Sequence, residues 1–248
     1  METFYEWFLV LYEDTGINLP FMYDEYDRGR ILNGLWATIK LSAICVLFSV
    51  IIGMVGAWLQ GSPWKVTRRV VNVYIQLFRN TPPLVQLYFF YFAVGILIPR
   101  VENDWGGTSP LIDSFGWAVI SLSFFAGAFN VEIFRSGIEA VPKSTIEAAK
   151  ALGFSRLQIY KDITLPLALR VVIPSLNNNL VNLVKTTTLA YAIAVPELLY
   201  ESNQIWSDNV NVTEMMLFLL IAYFVLVGIL VWAMNSWDRS LKIPGFGQ

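Results

Sequence analysis

Apolar residues in this chain gather into long blocks rather than alternating singly. A helix crosses about 30 Å of hydrocarbon with about 20 mainly apolar residues, and five windows approach that length. Residues 41–59 form an uncharged block, with Trp36 and Trp58 placed as interfacial anchors. Residues 84–98 are short, and their helix is expected to start upstream near Pro82-Pro83. Residues 117–134 are apolar until Asn130 and Glu132, and 215–237 form the cleanest block, ending in Trp237. Residues 171–188 differ, carrying Pro174, Asn177, Asn178, Asn179, Asn182 and Lys185. Between blocks, 66–78 reads as an amphipathic helix lying on the inner surface, and 99–114 and 197–213 read as polar outer loops. The pattern predicts an all-α membrane protein built as a five-helix transmembrane bundle.

Composition agrees: 56% of the 248 residues are hydrophobic and 15% charged, with mean hydropathy +0.54. Ordinary soluble domains carry about 25% charge. Lys and Arg fix the orientation, since they concentrate on cytoplasmic loops. Twelve lie on one side: Lys65, Arg68, Arg69 and Arg79, then Arg135, Lys143, Lys150, Arg156, Lys161 and Arg170, then Arg239 and Lys242. The other side has three, Arg28, Arg30 and Arg100, among many carboxylates, Asp24 and Asp104 included. The expected topology is N-out, C-in, with residues of about 136–166 in the cytoplasm. Residues 1–30 are expected to be an extracytoplasmic or interfacial segment without the features of a signal peptide, 31–243 a single transmembrane domain, and 244–248 a cytoplasmic tail.

Several chemistries are excluded by residue type. The chain has no histidine and one cysteine, Cys45, which removes histidine-based nucleophilic catalysis, histidine metal sites and intrachain disulfides. Net charge is −2, giving no footprint for nucleic acid. No G-x-x-x-x-G-K-[ST] phosphate loop is present.

The cytoplasmic loop carries a motif. Ser144–Leu152 reads as a short helix with Ser144 as cap and Glu147 completing a capping box, kept slim by Ala148, Ala149 and Ala151. Gly153 supplies a left-handed stop, and a second helix over 155–163 precedes Pro166. Glu147-Ala148-Ala149, Gly153 four residues beyond Ala149, and Ile163-Thr164-Leu165-Pro166 form E-A-A-x3-G-x9-I-x-L-P. This pattern resembles, without a gap, the signature loop of permease subunits of bacterial ATP-binding cassette importers. Glu132-Ile133-Phe134-Arg135-Ser136-Gly137-Ile138, Arg79-Asn80-Thr81-Pro82, Leu84-Val85-Gln86-Leu87 and Leu183-Val184-Lys185-Thr186-Thr187-Thr188-Leu189 are similar to the polar amino acid subfamily. Asn80 stands where many relatives have Gly, Thr186 where many have Asp or Asn, and Ser144-Thr145 replaces a common Gly-Gln.

The resemblance implies the type I importer permease fold and a transporter subunit that is not itself an enzyme. It implies two cytoplasmic ATP-binding subunits that hold ATP and Mg, a second permease (the same chain or a paralogue) and an extracytoplasmic amino-acid-binding protein. No cofactor is expected in this chain, and the bacterial inner membrane is its expected location. Ser144, Glu147, Ala148, Ala149, Gly153, Leu165 and Pro166 are the expected ATPase-coupling residues. For the substrate path, Asn178, Asn182 and Lys185 fall on one face at i, i+4 and i+7, where Lys185 either attracts a substrate carboxylate or snorkels outward. Thr186 and Thr188 would add hydroxyls; the Asn residues read equally as interhelical packing groups, since amides hydrogen-bond across helices. The resemblance places Asn130 and Glu132 near the substrate, whereas the local spacing pairs Glu132 with Arg135 or Ser136. Asn80 and Thr81 start a broken helix that exposes backbone to the path. Alternative readings are an importer permease for another small polar or cationic solute, or an ATP-independent transporter or channel.

Overall fold

A computed structural model describes residues 2–102 and 105–241. Asp104, Lys242, the side chains of Glu2 and Arg239, and the 244–248 tail lie outside the described residues. The elements run α1 (Glu2–Thr15), α2 (Pro20–Tyr23), α3 (Glu25–Gln60), α4 (Lys65–Arg79) and α5 (Pro83–Tyr88). A π-helical turn (Phe89–Val94) and a 3-10 turn (Gly95–Leu97) follow, then β1 (Arg100–Glu102) and β2 (Thr108–Pro110). Next come α6 (Ser114–Glu139), α7 (Lys143–Ala151), α8 (Arg156–Gln158), a second π turn (Ile159–Thr164) and α9 (Leu165–Thr186). A 3-10 segment (Thr187–Ile193), α10 (Leu198–Asn209) and α11 (Val212–Leu241) complete the described chain. The one departure from an all-helical chain among the described residues is the antiparallel β1–β2 hairpin, with Val101 opposite Ser109.

Among the described residues, three helices are long and apolar enough to cross a membrane: Glu25–Gln60, Ser114–Glu139 and Val212–Ser236. The block expected over 84–98 is broken instead, six α-helical residues giving way to π and 3-10 turns. The block over 171–188 is α9, whose asparagines and lysine lower its hydropathy. In α11, Leu220, Phe224, Ile229 and Trp232 are exposed, as an apolar helix in lipid requires.

The chain divides into two compact units. The first comprises Met1–Ile44, Leu87–Ile120 and Val184–Gly228. Its core packs Ile31, Leu198, Ile205, Met215 and Leu219, with Phe21, Leu35 and Phe218 around them. The chain packs tightly at Gly34: a Cβ would stand 3.1 Å from Leu198 Cα and 3.2 Å from the Glu197 carbonyl oxygen. Glu197, 1% exposed, caps α10 by accepting from the Leu199 and Tyr200 amides at 3.0 and 2.9 Å. The Tyr223 hydroxyl donates to the same carboxylate at 2.9 Å, so α10 and α11 share one anchor. A buried donor without an acceptor costs about 1–3 kcal/mol. Glu197→Ala, which strands these donors, is therefore expected to destabilise the protein by roughly 3 kcal/mol, read as a lower unfolding temperature in detergent. An unchanged midpoint contradicts the anchoring role.

The second unit comprises Cys45–Gln86, Ser121–Leu183 and Ile229–Gln248. Val71, Ile75, Val131, Phe134, Val172, Leu176 and Leu180 form its core. The helix expected over 66–78 is α4, with Val71, Ile75 and Phe78 as its buried stripe. The α3 and α6 backbones meet closely, because a Cβ on Gly53 would collide with Asn130 and one on Gly56 with Val131.

Candidate functional site: the coupling loop and the polar helix faces

The loop after α6 is a helix, a glycine stop and a second helix that runs on into α9. The α7 helix starts at Lys143 with Pro142 as its N-cap residue, and no side chain caps it. Ser144 is thus inside the first turn, not the cap expected from the sequence. Pro142 wins because its φ of −57° is already helix-compatible and its carbonyl accepts from Thr145 and Ile146 at 3.1 and 3.4 Å. The capping box instead sits one element later: Ser155 Oγ accepts from the Gln158 amide at 3.3 Å, and Gln158 Oε1 accepts from the Ser155 amide at 2.9 Å.

Gly153 behaves as expected, at φ +82°. The Phe154 amide donates to the Ala149 carbonyl and the Gly153 amide to the Lys150 carbonyl, at 3.1 and 3.0 Å. These are the two bonds of a Schellman stop. Glu147 and Ala148 are exposed while Ala149 is buried, and Leu152 and Phe154 stand exposed beside them. A shallow groove of about 460 Å³ runs along this helix, lined by Thr145, Ala148, Leu152, Phe154 and Ile163 among others. Leu165 and Pro166 open α9 directly after the π turn, both exposed. An exposed slim helix with an apolar groove is equipped to dock on another protein.

Along α9 the exposed positions include Pro174, Ser175, Asn178, Asn182 and Lys185, one continuous polar face. The helix ends at Thr186, and the 3-10 segment that follows stops at Ala194 in the left-handed region (φ +57°). Thr188 Oγ1 donates to the Lys185 carbonyl at 2.9 Å, while Thr187 is buried with its hydroxyl on the Val184 carbonyl at 2.7 Å. Asn130 is 0% exposed: it donates to Ser49 Oγ at 3.3 Å and accepts from Asn179 at 2.8 Å. Asn179, expected only as one of the polar residues of the 171–188 block, also donates to the Ala126 carbonyl at 3.1 Å, so these two amides join α6 to α9.

Glu132 is held by Arg135 in a two-pronged pair, Nη2 to Oε2 at 2.8 Å and Nε to Oε1 at 3.4 Å. Arg135 also meets Glu139 at 2.8 Å. The local-pair reading of Glu132 is thus realised in this conformation. Arg79 lies over the Phe129 ring, 5.2 Å from its centroid.

The break between α4 and α5 is organised by Gln86. Its Nε2 lies 2.8 Å from the Phe78 carbonyl, 2.9 Å from the Thr81 carbonyl and 2.6 Å from Thr81 Oγ1. Asn80 is exposed and donates to Gln76 Oε1 at 2.9 Å. Gln86 was quoted above only within a motif; the signal for its role is a buried amide in an apolar segment.

These features combine apolar helices long enough to cross a membrane with an exposed slim helix and a polar helix face outside the core. The family model for the binding-protein-dependent transport system inner membrane component matches residues 46–243, and the chain belongs to that family. It is 33% identical over 218 residues to a Rickettsia conorii protein that carries the name glutamine transport system permease protein GlnP, covering 86% of this chain and 93% of that protein. It is 26% identical over 219 residues to the glutamate/aspartate import permease protein GltJ of Escherichia coli, covering 88% and 89%. The solved structure of an amino acid ABC transporter with histidines superposes with a TM-score of 0.77 at 25% identity, covering 90% of this chain and 99% of that one.

Proposed function

We propose that the chain is the permease subunit of an ATP-binding cassette importer that carries polar amino acids inward. The observation that carries this reading is the complete E-A-A-x3-G-x9-I-x-L-P motif, set on an exposed helix closed by a left-handed glycine. The relatives named for glutamine and glutamate/aspartate transport support the amino acid class. In this reading α3, the broken segment Pro83–Leu97, α6, α9 and α11 are the five spans, N-out and C-in, in the bacterial inner membrane. Two cytoplasmic ATPases, which hold ATP and Mg, receive α7 in a groove; Glu147 meets their surface and Gly153 makes the turn. Their closure on ATP draws the α7 helices of two permeases together and opens the path outward; hydrolysis resets it. An extracytoplasmic binding protein delivers the substrate.

The exposed face of α9 lines the path, with Lys185 attracting the α-carboxylate and Asn178, Asn182, Thr186 and Thr188 orienting the rest. Asn80 and Thr81 border the same path at the α4–α5 break, held by Gln86. Glu132 enters only where Arg135 releases it, and Asn130 acts behind Asn179 as a wall residue.

Co-purification tests the assembly: the tagged permease should bring down an ATP-binding subunit, and its absence would favour a channel. Topology is tested by introducing thiols, since Cys45 is buried. In intact cells a membrane-impermeant reagent should label Asp24→Cys and spare Thr145→Cys; labelling of Thr145→Cys reverses the orientation.

A further inference from the structure

A second cavity lies inside the second unit. It has a volume of about 460 Å³ and is bordered by Trp58 and Gln60 at the end of α3, Ser62 in the following turn, Arg135 and Glu139 at the end of α6, and Tyr160 in the π turn. That volume lies in the range of small-molecule sites, about 300–1,000 Å³. None of these residues stands at a fixed position of the coupling motif or on the polar face of α9.

The lining is dipolar. Arg135 Nη1 and Glu139 Oε1 sit 2.8 Å apart, with their side chains 38% and 63% exposed, so both remain open to a ligand. Nη2 gives one of its two hydrogens to Glu132 and keeps the other. The Gln60 side-chain oxygen has no hydrogen-bond partner, its Nε2 being committed to Asn72 at 2.9 Å. Trp58 and Tyr160 supply aromatic faces, which favour an organic cation. A lone anion would meet Glu139, and a lone cation would meet Arg135. A molecule that carries both charges a few bonds apart satisfies the pair, charge against charge.

We propose that this cavity binds a zwitterion, its ammonium group on Glu139 between Trp58 and Tyr160 and its acid group on Arg135. Two sources carry that chemistry: a free α-amino acid and the headgroup of phosphatidylethanolamine. The cavity opens to the cytoplasm if the topology proposed above holds, and the inference rests on that reading. Occupancy would tie the ends of α3 and α6 to the π turn that joins α7 to α9, so a ligand there resists movement of the docking helix. For a free amino acid this makes the internal pool a brake on its own import.

The test uses the assembled importer with the substitution Ser62→Cys, in vesicles with the nucleotide-binding side outward. In phosphatidylglycerol vesicles, which offer no ammonium group, maleimide should modify the introduced thiol rapidly. Added glutamine should slow this about tenfold at roughly ten times Kd, following 1 + [L]/Kd. Glu139→Gln should abolish the protection while Glu139→Asp keeps part of it; Trp58→Ala, at an exposed position, gives a second weakened variant. Protection that appears without glutamine when phosphatidylethanolamine is added assigns the lipid as the source. An unchanged rate with both glutamine and phosphatidylethanolamine overturns the proposal, as does protection that survives Glu139→Gln. ATP-dependent release of glutamine loaded into the lumen together with the binding protein separates the two readings: release without protection sinks this inference alone, and absence of release sinks the importer reading.

Discussion

Gly153→Arg should reduce ATP-driven uptake to background while leaving the permease folded in the membrane. Gly153 sits at φ +82° with no atom within 4 Å of its would-be Cβ, so a side chain there meets open space and not the core. Backbone strain at a left-handed position costs about 1–2 kcal/mol for an L-residue. That is small beside the effect of a long cation projected from the end of a docking helix. Gly153→Ala separates the two effects, because it carries the strain without the bulk, and it should retain most uptake. ATPase capture by the tagged permease, measured beside uptake, shows whether docking or motion has failed. Normal uptake by a well-expressed Gly153→Arg protein would remove the loop from coupling.

Lys185→Met should cut uptake sharply without disturbing ATPase capture. Lys185 is exposed at the end of α9, on the same face as Asn178 and Asn182, and its neighbours on that face offer no carboxylate. Removing one partner of a charge-assisted contact costs 2 kcal/mol or more, roughly 30-fold in affinity. Lys185→Arg should keep a fraction of the rate, since charge survives while geometry changes. If Lys185 only reaches the headgroups, both variants transport normally, and Asn80 and Thr81 become the better path residues.

Much of this arrangement was legible in the sequence because it follows from local rules. Gly153 had to be left-handed to stop a helix at that spacing, and the structure gives it the two Schellman bonds. The i, i+4, i+7 spacing of Asn178, Asn182 and Lys185 put them on one face, and all three are exposed together. The Glu132–Arg135 pair follows from i, i+3 spacing alone. What escaped was set by distant partners. Asn130 and Asn179 are 49 positions apart, and only the crossing of α6 with α9 makes them a pair. Glu197 reads as a loop residue until Tyr223, 26 positions on, donates to it. The helix cap fell to Pro142 rather than Ser144 because proline's fixed φ begins a helix without any side-chain bond, a competition that residue preference alone ranks the other way. The π turns at Phe89–Val94 and Ile159–Thr164 have no sequence signature of their own; each breaks the α-helical register beside a segment assigned to the path or to coupling.

In the proposed function, ATP on a separate subunit powers inward transport of amino acids. The direct measurement is uptake of radiolabelled glutamine and glutamate by vesicles that contain the permease, its ATP-binding subunit and its binding protein. At least one of them should accumulate in a manner that requires ATP, stops with a non-hydrolysable analogue, and requires the binding protein. Equal uptake without ATP, or accumulation by the permease alone, would contradict it.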